Sequence, residues 1–249
     1  MLLLIDAGNT RIKWALARPD APTGAWRDSG AVAHADIETL AQAWKTAAGG
    51  EAMTRVIIAN VAGATVGARL AALLPPSATV VHFASREQLA GLRNGYRQPT
   101  QLGSDRFAAA IGARALLPGT NLVVATCGTA TTIDAVSFDG VFIGGMILPG
   151  LNLMAASLAN NTAQLPMVAD GAPLPSPFAD NTQDAIRSGC LAAQAGAIGR
   201  ACAAHGDALC LMSGGAAASV AAALTVPYRL VDNLVLAGLH VAAAVLHQP

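Results

Sequence analysis

The sequence predicts an α/β protein in two similarly folded halves, each a mixed sheet flanked by helices. Three observations carry that expectation. The first 83 residues read β-β-β-α-β-α-β, the order of a mixed sheet with helices packed against it. A strand, a short polar turn containing glycine and a second strand occur twice, around Gly8 and again around Gly128. Both copies continue into a third strand, so the halves open on the same meander and are expected to face each other across a cleft.

The first hairpin is expected from the apolar run Leu2-Leu3-Leu4-Ile5, a polar hinge from Asp6 to Lys13, and a second apolar run through Trp14-Ala15-Leu16. Asp6 ends the first run, where a carboxylate faces solvent or a hydrated cation. Gly8 carries no Cβ to keep a polyanion away, and it permits a positive φ. With Asn9, Thr10 and Lys13 nearby, the turn has the makings of an anion-binding nest. An ordinary Gly-Asn hairpin turn reads the same way. Next come a loop with a short strand near Ala25–Asp28, a helix over Ile37–Ala48 stopped by Gly49-Gly50, and a buried strand Arg55–Val61. A helix Val66–Leu74 ended by Pro75-Pro76 and a strand Ala78–Phe83 complete the half.

The segment Leu92–Arg106 is polar in an otherwise apolar chain and runs into an Ala-rich helix, Phe107–Leu117. Ser104 or Asp105 suits a helix cap. A cap alone does not account for Arg106 beside the acid or Tyr96 upstream, and this concentration of functional groups marks a site. In the second half, the stretch Asn121–Val136 is again strand, Gly-hydroxyl turn, strand, with the turn at Gly128. Aligned on the two glycines, Thr126 lies opposite Asp6 and Thr129 opposite Asn9. A corner at Asp139-Gly140, a third strand ending at Gly150 and a helix Leu151–Leu158 follow. An irregular Pro-rich loop is expected over Asn160–Asn181, containing Pro166, Pro173, Pro175 and Pro177. Thr182 is expected to cap a helix in which Gly189, Gly196 and Gly199 permit close packing. A strand Ala208–Met212 enters Ser213-Gly214-Gly215, a turn that brings backbone near a flat or anionic ligand. A helix Ala217–Leu224, a strand Pro227–Val231 and a helix Leu234–His247 end the chain.

Composition narrows the function. The 249 residues are 53% hydrophobic and 12% charged, with a mean hydropathy of +0.47. No apolar run reaches the roughly 18–20 residues needed to span a bilayer. The N-terminal run meets Asp6 too early for a signal peptide, so a cytoplasmic protein without membrane partners is expected. Few charges leave apolar surface to hide, which favours a homo-oligomer. Fifteen basic and fifteen acidic residues give a formal net charge of zero, and no Lys/Arg cluster marks a nucleic-acid footprint. The four cysteines, Cys127, Cys190, Cys202 and Cys210, lack zinc-type spacing and read as reduced and mostly buried, with Cys127 in the turn.

Four stretches then occur in a specific order: Asp6-Ala7-Gly8-Asn9-Thr10-Arg11-Ile12-Lys13, Gly103-Ser104-Asp105-Arg106, Gly128-Thr129-Ala130-Thr131-Thr132-Ile133-Asp134, and Ser213-Gly214-Gly215. The combination resembles the type III pantothenate kinases of the acetate/sugar kinase–Hsp70–actin superfamily, over nearly the whole chain. The resemblance implies two duplicated ribonuclease-H-like (actin-like ATPase) halves, residues 1–118 and 119–249, with ATP in the cleft. It implies phosphorylation of pantothenate to 4'-phosphopantothenate, the first step towards coenzyme A, by a homodimer. Asp6 to Lys13 then resembles the phosphate-binding segment, Asp6 lying near the Mg2+–phosphate centre, and Thr129 an ATP-contacting hydroxyl. Asp105 resembles the general base. Gly103, Ser104 and Arg106 surround the substrate, Arg106 meets its carboxylate and Tyr96 lines the pocket. Thr182 resembles a substrate contact that approaches from a neighbouring subunit. Many members carry an acid where this chain has Thr126, and it helps bind a monovalent cation (K+ or NH4+); the neutral hydroxyl weakens that expectation. An accessory or regulatory protein of the related Bvg accessory factor type, or a kinase of another small hydroxy acid or sugar, stays open at this point.

Overall fold

The structure is a computed structural model and describes residues 1–168, 176–206 and 208–246. The chain forms two compact units. The first holds Met1–Gly119, Asp139–Phe142 and the C-terminal stretch from Asn233; the second holds Thr120–Phe138 and Ile143–Asp232.

In the first unit, β1 (Leu2–Ala7) and β2 (Arg11–Ala17) form the expected hairpin. They are joined by β3 (Asp28–Ala33), β4 (Arg55–Asn60) and β5 (Thr79–His82) in the sheet order β3-β2-β1-β4-β5. β1 runs antiparallel to β2 and parallel to β4. As the central strand it is buried at all six positions, which is why it reads as an unbroken apolar run. Its odd residues Leu3, Ile5 and Ala7 pack into a core with Ile12, Trp14, Val56, Leu70 and, from α1 (Leu40–Ala48), Trp44. Strand alternation therefore puts Asp6 on the opposite face, with Leu2 and Leu4. On that side lie α3 (Ser104–Leu116), against β4, and α7 (Leu234–Ala243), against β1, β2 and β4. These two helices cross closely because Gly112 and Gly238 lack side chains. A Cβ on Gly238 would overlap the backbone of Ala108.

The second unit contains β8 (Leu122–Cys127), β9 (Ala130–Val136), β10 (Val141–Pro149), β11 (Leu209–Ser213) and β12 (Tyr228–Leu230). Val141 and Phe142, which open β10, belong to the first unit. Five strands of a seven-stranded sheet run β12-β11-β8-β9-β10, and these five repeat the order of the first sheet. β8 is antiparallel to β9 and parallel to β11, as β1 is to β2 and β4. Its core joins Val123, Ala125, Ile133, Cys210 and Met212 to Ile198 and Cys202 of α5 (Thr182–Ala204). Helices α4 (Leu151–Asn161) and α6 (Ala217–Ala221) complete the unit, as α2 (Ala64–Leu73) completes the first.

Several expectations need correction. The strand placed near Ala25–Asp28 starts at Asp28, because Ala25 and Trp26 are tied into turns by bonds to Pro22 and Gly24 carbonyls. The helix expected from Ile37 begins as a 3-10 segment, His34–Thr39, with Asp36 out of helical geometry. A short strand β6 (Gln88–Leu89) occurs where no element was expected, and β7 (Leu92–Asn94) where only a polar segment was read. Gly189 and Gly196 have nothing within 4 Å of a built Cβ and serve no close packing; Val226 lies 4.0 Å from that of Gly199. Cys127 ends β8 in the core and is not in the turn. Pro173, Pro175 and His247 lie outside the described residues.

Candidate active site

The first unit gathers most of the sequence-predicted residues. Asp6 pairs across the hairpin with Lys13 and Ala7 with Ile12. Ala7 and Ile12 are fully buried and present no surface of their own to a ligand. Asn9, Thr10 and Arg11 are exposed. Arg11 donates to the carbonyl of Ala31 at 3.3 Å. Gly8 does not use a positive φ. Its N–H donates to the Arg11 carbonyl at 3.1 Å, and a Cβ would sit 3.3 Å from that same oxygen. The turn needs glycine for closeness here, not for handedness.

Asp6 is only 8% exposed. Burial pushes its carboxyl up from 3.8 to about 6, against the lowering influence of Lys13, and the charge of Asp105 pushes it further up. Asp6 and Asp105 thus feel one another, although 99 residues separate them in sequence. Asp105 is half-buried in the first turn of α3, where the helix dipole favours a negative charge. The helix is capped by Gly103, and neither Ser104 nor Asp105 is the cap. Asp105 Oδ1 accepts from the N–H of Arg106 at 2.9 Å. A Cβ on Gly103 would lie 2.6 Å from that oxygen, so the glycine makes room for the carboxylate.

Arg106 is 7% exposed, rare for a guanidinium. It donates to the Tyr96 hydroxyl at 2.8 Å. Its guanidinium carbon lies 5.6 Å from the Tyr96 ring centre and 5.7 Å from that of Phe142, within cation–π range. Tyr96 meets Phe142 edge-on at 5.6 Å. Asn94 accepts from the Tyr96 N–H at 3.0 Å and donates to the Pro99 carbonyl at 3.0 Å. Sequence reading missed Asn94 and Phe142. The Asn94-Gly95 dipeptide was an available signal for the first. Phe142 reaches the site only because β10 pairs with β7, which no local pattern announces.

The second unit holds Thr126, Thr129 and Thr182. Thr129 is exposed in the Gly128 turn, whose backbone is crowded by two further glycines. A Cβ on Gly150 would overlap the Gly128 carbonyl, and one on Gly214 (φ +102°) that of Cys127. Ser213-Gly214-Gly215 therefore owes its glycine at 214 to this approach. Thr126 pairs with Thr132 and with Ser213. Thr182 is the exposed first residue of α5, but the cap is Asn181, whose side chain accepts from the Asp184 N–H. Thr182 borders an apolar groove of about 510 Å³ between α4 and α5, with Met154, Leu158, Ile186 and Cys190. All four cysteines are free and buried. Burial pushes the Cys127 thiol up to about 11, which removes it as a nucleophile. Among the described residues no group of three or more His, Cys, Asp or Glu could hold a metal ion, and no helix is long and apolar enough to cross a membrane.

The sequence profile described as "Type III pantothenate kinase" matches residues 2–204. The type III pantothenate kinase of Janthinobacterium sp. (strain Marseille) is 56% identical over 263 residues, covering 100% of this chain and 99% of the relative. That of Herminiimonas arsenicoxydans is 54% identical over 255 residues, covering 98% and 97%. The fold is similar to that of a protein named as a 2-dehydro-3-deoxygalactonokinase from Sinorhizobium meliloti, at a TM-score of 0.59 and 17% identity, covering 98% and 99%. With α/β sheets of matching order in both units and these relatives along its whole length, the chain belongs to the type III pantothenate kinases, which are small-molecule kinases.

Proposed function

We propose that the protein transfers the γ-phosphoryl group of ATP to the primary hydroxyl of pantothenate, giving 4'-phosphopantothenate, with Asp105 as general base. The observation that carries this is the electrostatic coupling of Asp105 to the buried Asp6 in one unit, with Arg106 and Tyr96 adjoining. Phosphoryl transfer needs positioning and charge neutralisation more than covalent help. The Asp6–Lys13 turn supplies backbone N–H groups and a cation for the phosphates. In the second unit, Thr129 supplies an exposed hydroxyl suited to an ATP contact. Asp105 orients the attacking hydroxyl and accepts its proton. Arg106, held by Tyr96, faces the pantothenate carboxylate, and Gly103 and Ser104 form the adjoining backbone.

The donor set suits Mg2+. The buried carboxylate of Asp6 is hard, desolvated and only partly balanced by Lys13, and Mg2+ is commonly held by one or two carboxylates with substrate phosphates and water. When bound, the ion neutralises charge on the transferring phosphoryl group. A monovalent cation has no carboxylate to meet at Thr126. A homodimer fits the second unit, which exposes Ile143, Met146 and Ile147 of β10 and Leu153 and Leu158 of α4. It would bring Thr182 to a neighbouring subunit's substrate. Sedimentation as a monomer at micromolar concentration would exclude the dimer.

The function is tested by an ATP-dependent assay with pantothenate on the wild type and Asp105→Asn. The wild type forms 4'-phosphopantothenate and the variant loses about 10²- to 10⁴-fold in kcat. No turnover by the wild type overturns the reading, and an unimpaired variant removes Asp105 as the base.

A further inference from the structure

We infer that His34 is a positioning residue for the phosphate turn, fixing the direction of the peptide between Gly8 and Asn9; this rests on the reading of that turn as the nucleotide-phosphate site. The ring Nε2 of His34 lies 2.8 Å from the Gly8 carbonyl oxygen. A carbonyl only accepts, so Nε2 carries the proton and donates. Both the neutral Nε2–H ring and the imidazolium make this bond.

A trans peptide holds its C=O and N–H on opposite sides. Tying the Gly8 oxygen to His34 therefore turns the Asn9 N–H away from His34, and keeps the carbonyl from swinging round in its place. Such a swing would set a partial negative charge where the turn is to receive an anion. Glycine before the peptide makes that rotation sterically easy. The turn's own closing bond, from Gly8 N–H to the Arg11 carbonyl, does not restrain the Gly8 oxygen.

His34 is itself held. It opens the 3-10 segment after β3, and its carbonyl accepts from Arg69 of α2 at 3.1 Å. Arg69 in turn grips Glu38, at 2.6 Å and 3.1 Å, and this hydrogen bonding lowers the Glu38 carboxyl below its ordinary value. The ring is thus presented to Gly8 from a braced backbone.

The test compares wild type, His34→Ala and His34→Gln, the glutamine amide nitrogen reaching about as far as Nε2. The readouts are fluorescence titration with mant-ATP and Mg2+, KM for ATP and for pantothenate, and urea unfolding. Alanine is expected to weaken mant-ATP binding and raise KM for ATP roughly 3- to 10-fold. Its KM for pantothenate and its unfolding midpoint should stay near those of the wild type, and glutamine should restore nucleotide binding to within about twofold. Alanine binding nucleotide as tightly as wild type overturns the inference. So does an equal rise in both KM values, or glutamine no better than alanine. A wild type that binds mant-ATP but leaves pantothenate unphosphorylated defeats the proposed function alone, and the binding comparison still decides the role of His34.

Discussion

Replacing Asp6 with Asn should stabilise the fold while abolishing the chemistry, and the gain should depend on pH in a defined way. Burial and Asp105 raise the Asp6 carboxyl from 3.8 to about 6 in the folded chain. The difference corresponds to about 3 kcal/mol between its two protonation states. Below pH 3.8 Asp6 is protonated both folded and unfolded and contributes no penalty. Between 3.8 and about 6 the folded state keeps a proton that the unfolded state has lost, so this group's contribution to stability falls as pH rises. Above about 6 the full cost is present. Asparagine has nearly the same shape and never ionises. Urea unfolding of wild type and Asp6→Asn at pH 4 to 8 should therefore show the variant's advantage growing from near zero to about 3 kcal/mol. Asp105→Asn should lower the Asp6 titration and shift the profile towards acid. An advantage that stays flat with pH, or a profile indifferent to Asp105, refutes the picture of a desolvated carboxylate sharing one site with the base.

Tyr96→Phe removes the hydroxyl that receives the buried Arg106; KM for pantothenate should rise up to roughly tenfold in steady-state assays while KM for ATP stays put. Gly238→Ala drives a methyl into the backbone of Ala108 and should lower stability by about 1–3 kcal/mol in urea unfolding. Gly196→Ala meets nothing and should raise stability by about 0.5–1 kcal/mol. Because Thr126 is neutral, exchanging K+ for Na+ should leave most pantothenate kinase activity intact; strict potassium dependence would refute the link between Thr126 and a weakened cation site.

The hairpin Leu2–Ala17 was legible because its first strand is buried on both faces and its turn is the one polar interruption. The start of α3 was legible for a similar reason: functional groups stand out in a chain that is 12% charged. The caps were not. Asn181 and Thr182 are adjacent and chemically equivalent as caps, and only the bond from the Asp184 N–H separates them. β6 and β7 are two and three residues long, too short for a periodic pattern, yet β7 is what brings Phe142 to Tyr96. The glycines of α5 and α7 look alike in sequence. The close approach occurs at Gly238, because only the packing of α7 on α3 decides which glycine faces a backbone.

The repeated topology allows the two turns to be compared position by position, and they carry charge unequally. In the first, register opposes Asp6 to Lys13. In the second, the equivalent strands oppose Thr126 to Thr132, with Ser213 on the other side of Thr126. One hairpin thus carries a carboxylate and an ammonium at the strand ends where its duplicate carries hydroxyls. A hydroxyl is far less costly to desolvate than a carboxylate, so the second turn is free of the pH-dependent strain that Asp6 imposes on the first. In the proposed mechanism the charge-bearing part of phosphoryl transfer, metal and developing negative charge together, would accordingly fall to the turn that bears charge. The neutral turn, drawn tight by Gly150 and Gly214, would offer hydrogen bonds alone. Introducing an acid at Thr126 would be expected to confer potassium activation and to give the second turn a titrating carboxylate of its own. Thr126→Asp that responds to K+ no more than the wild type would refute this division.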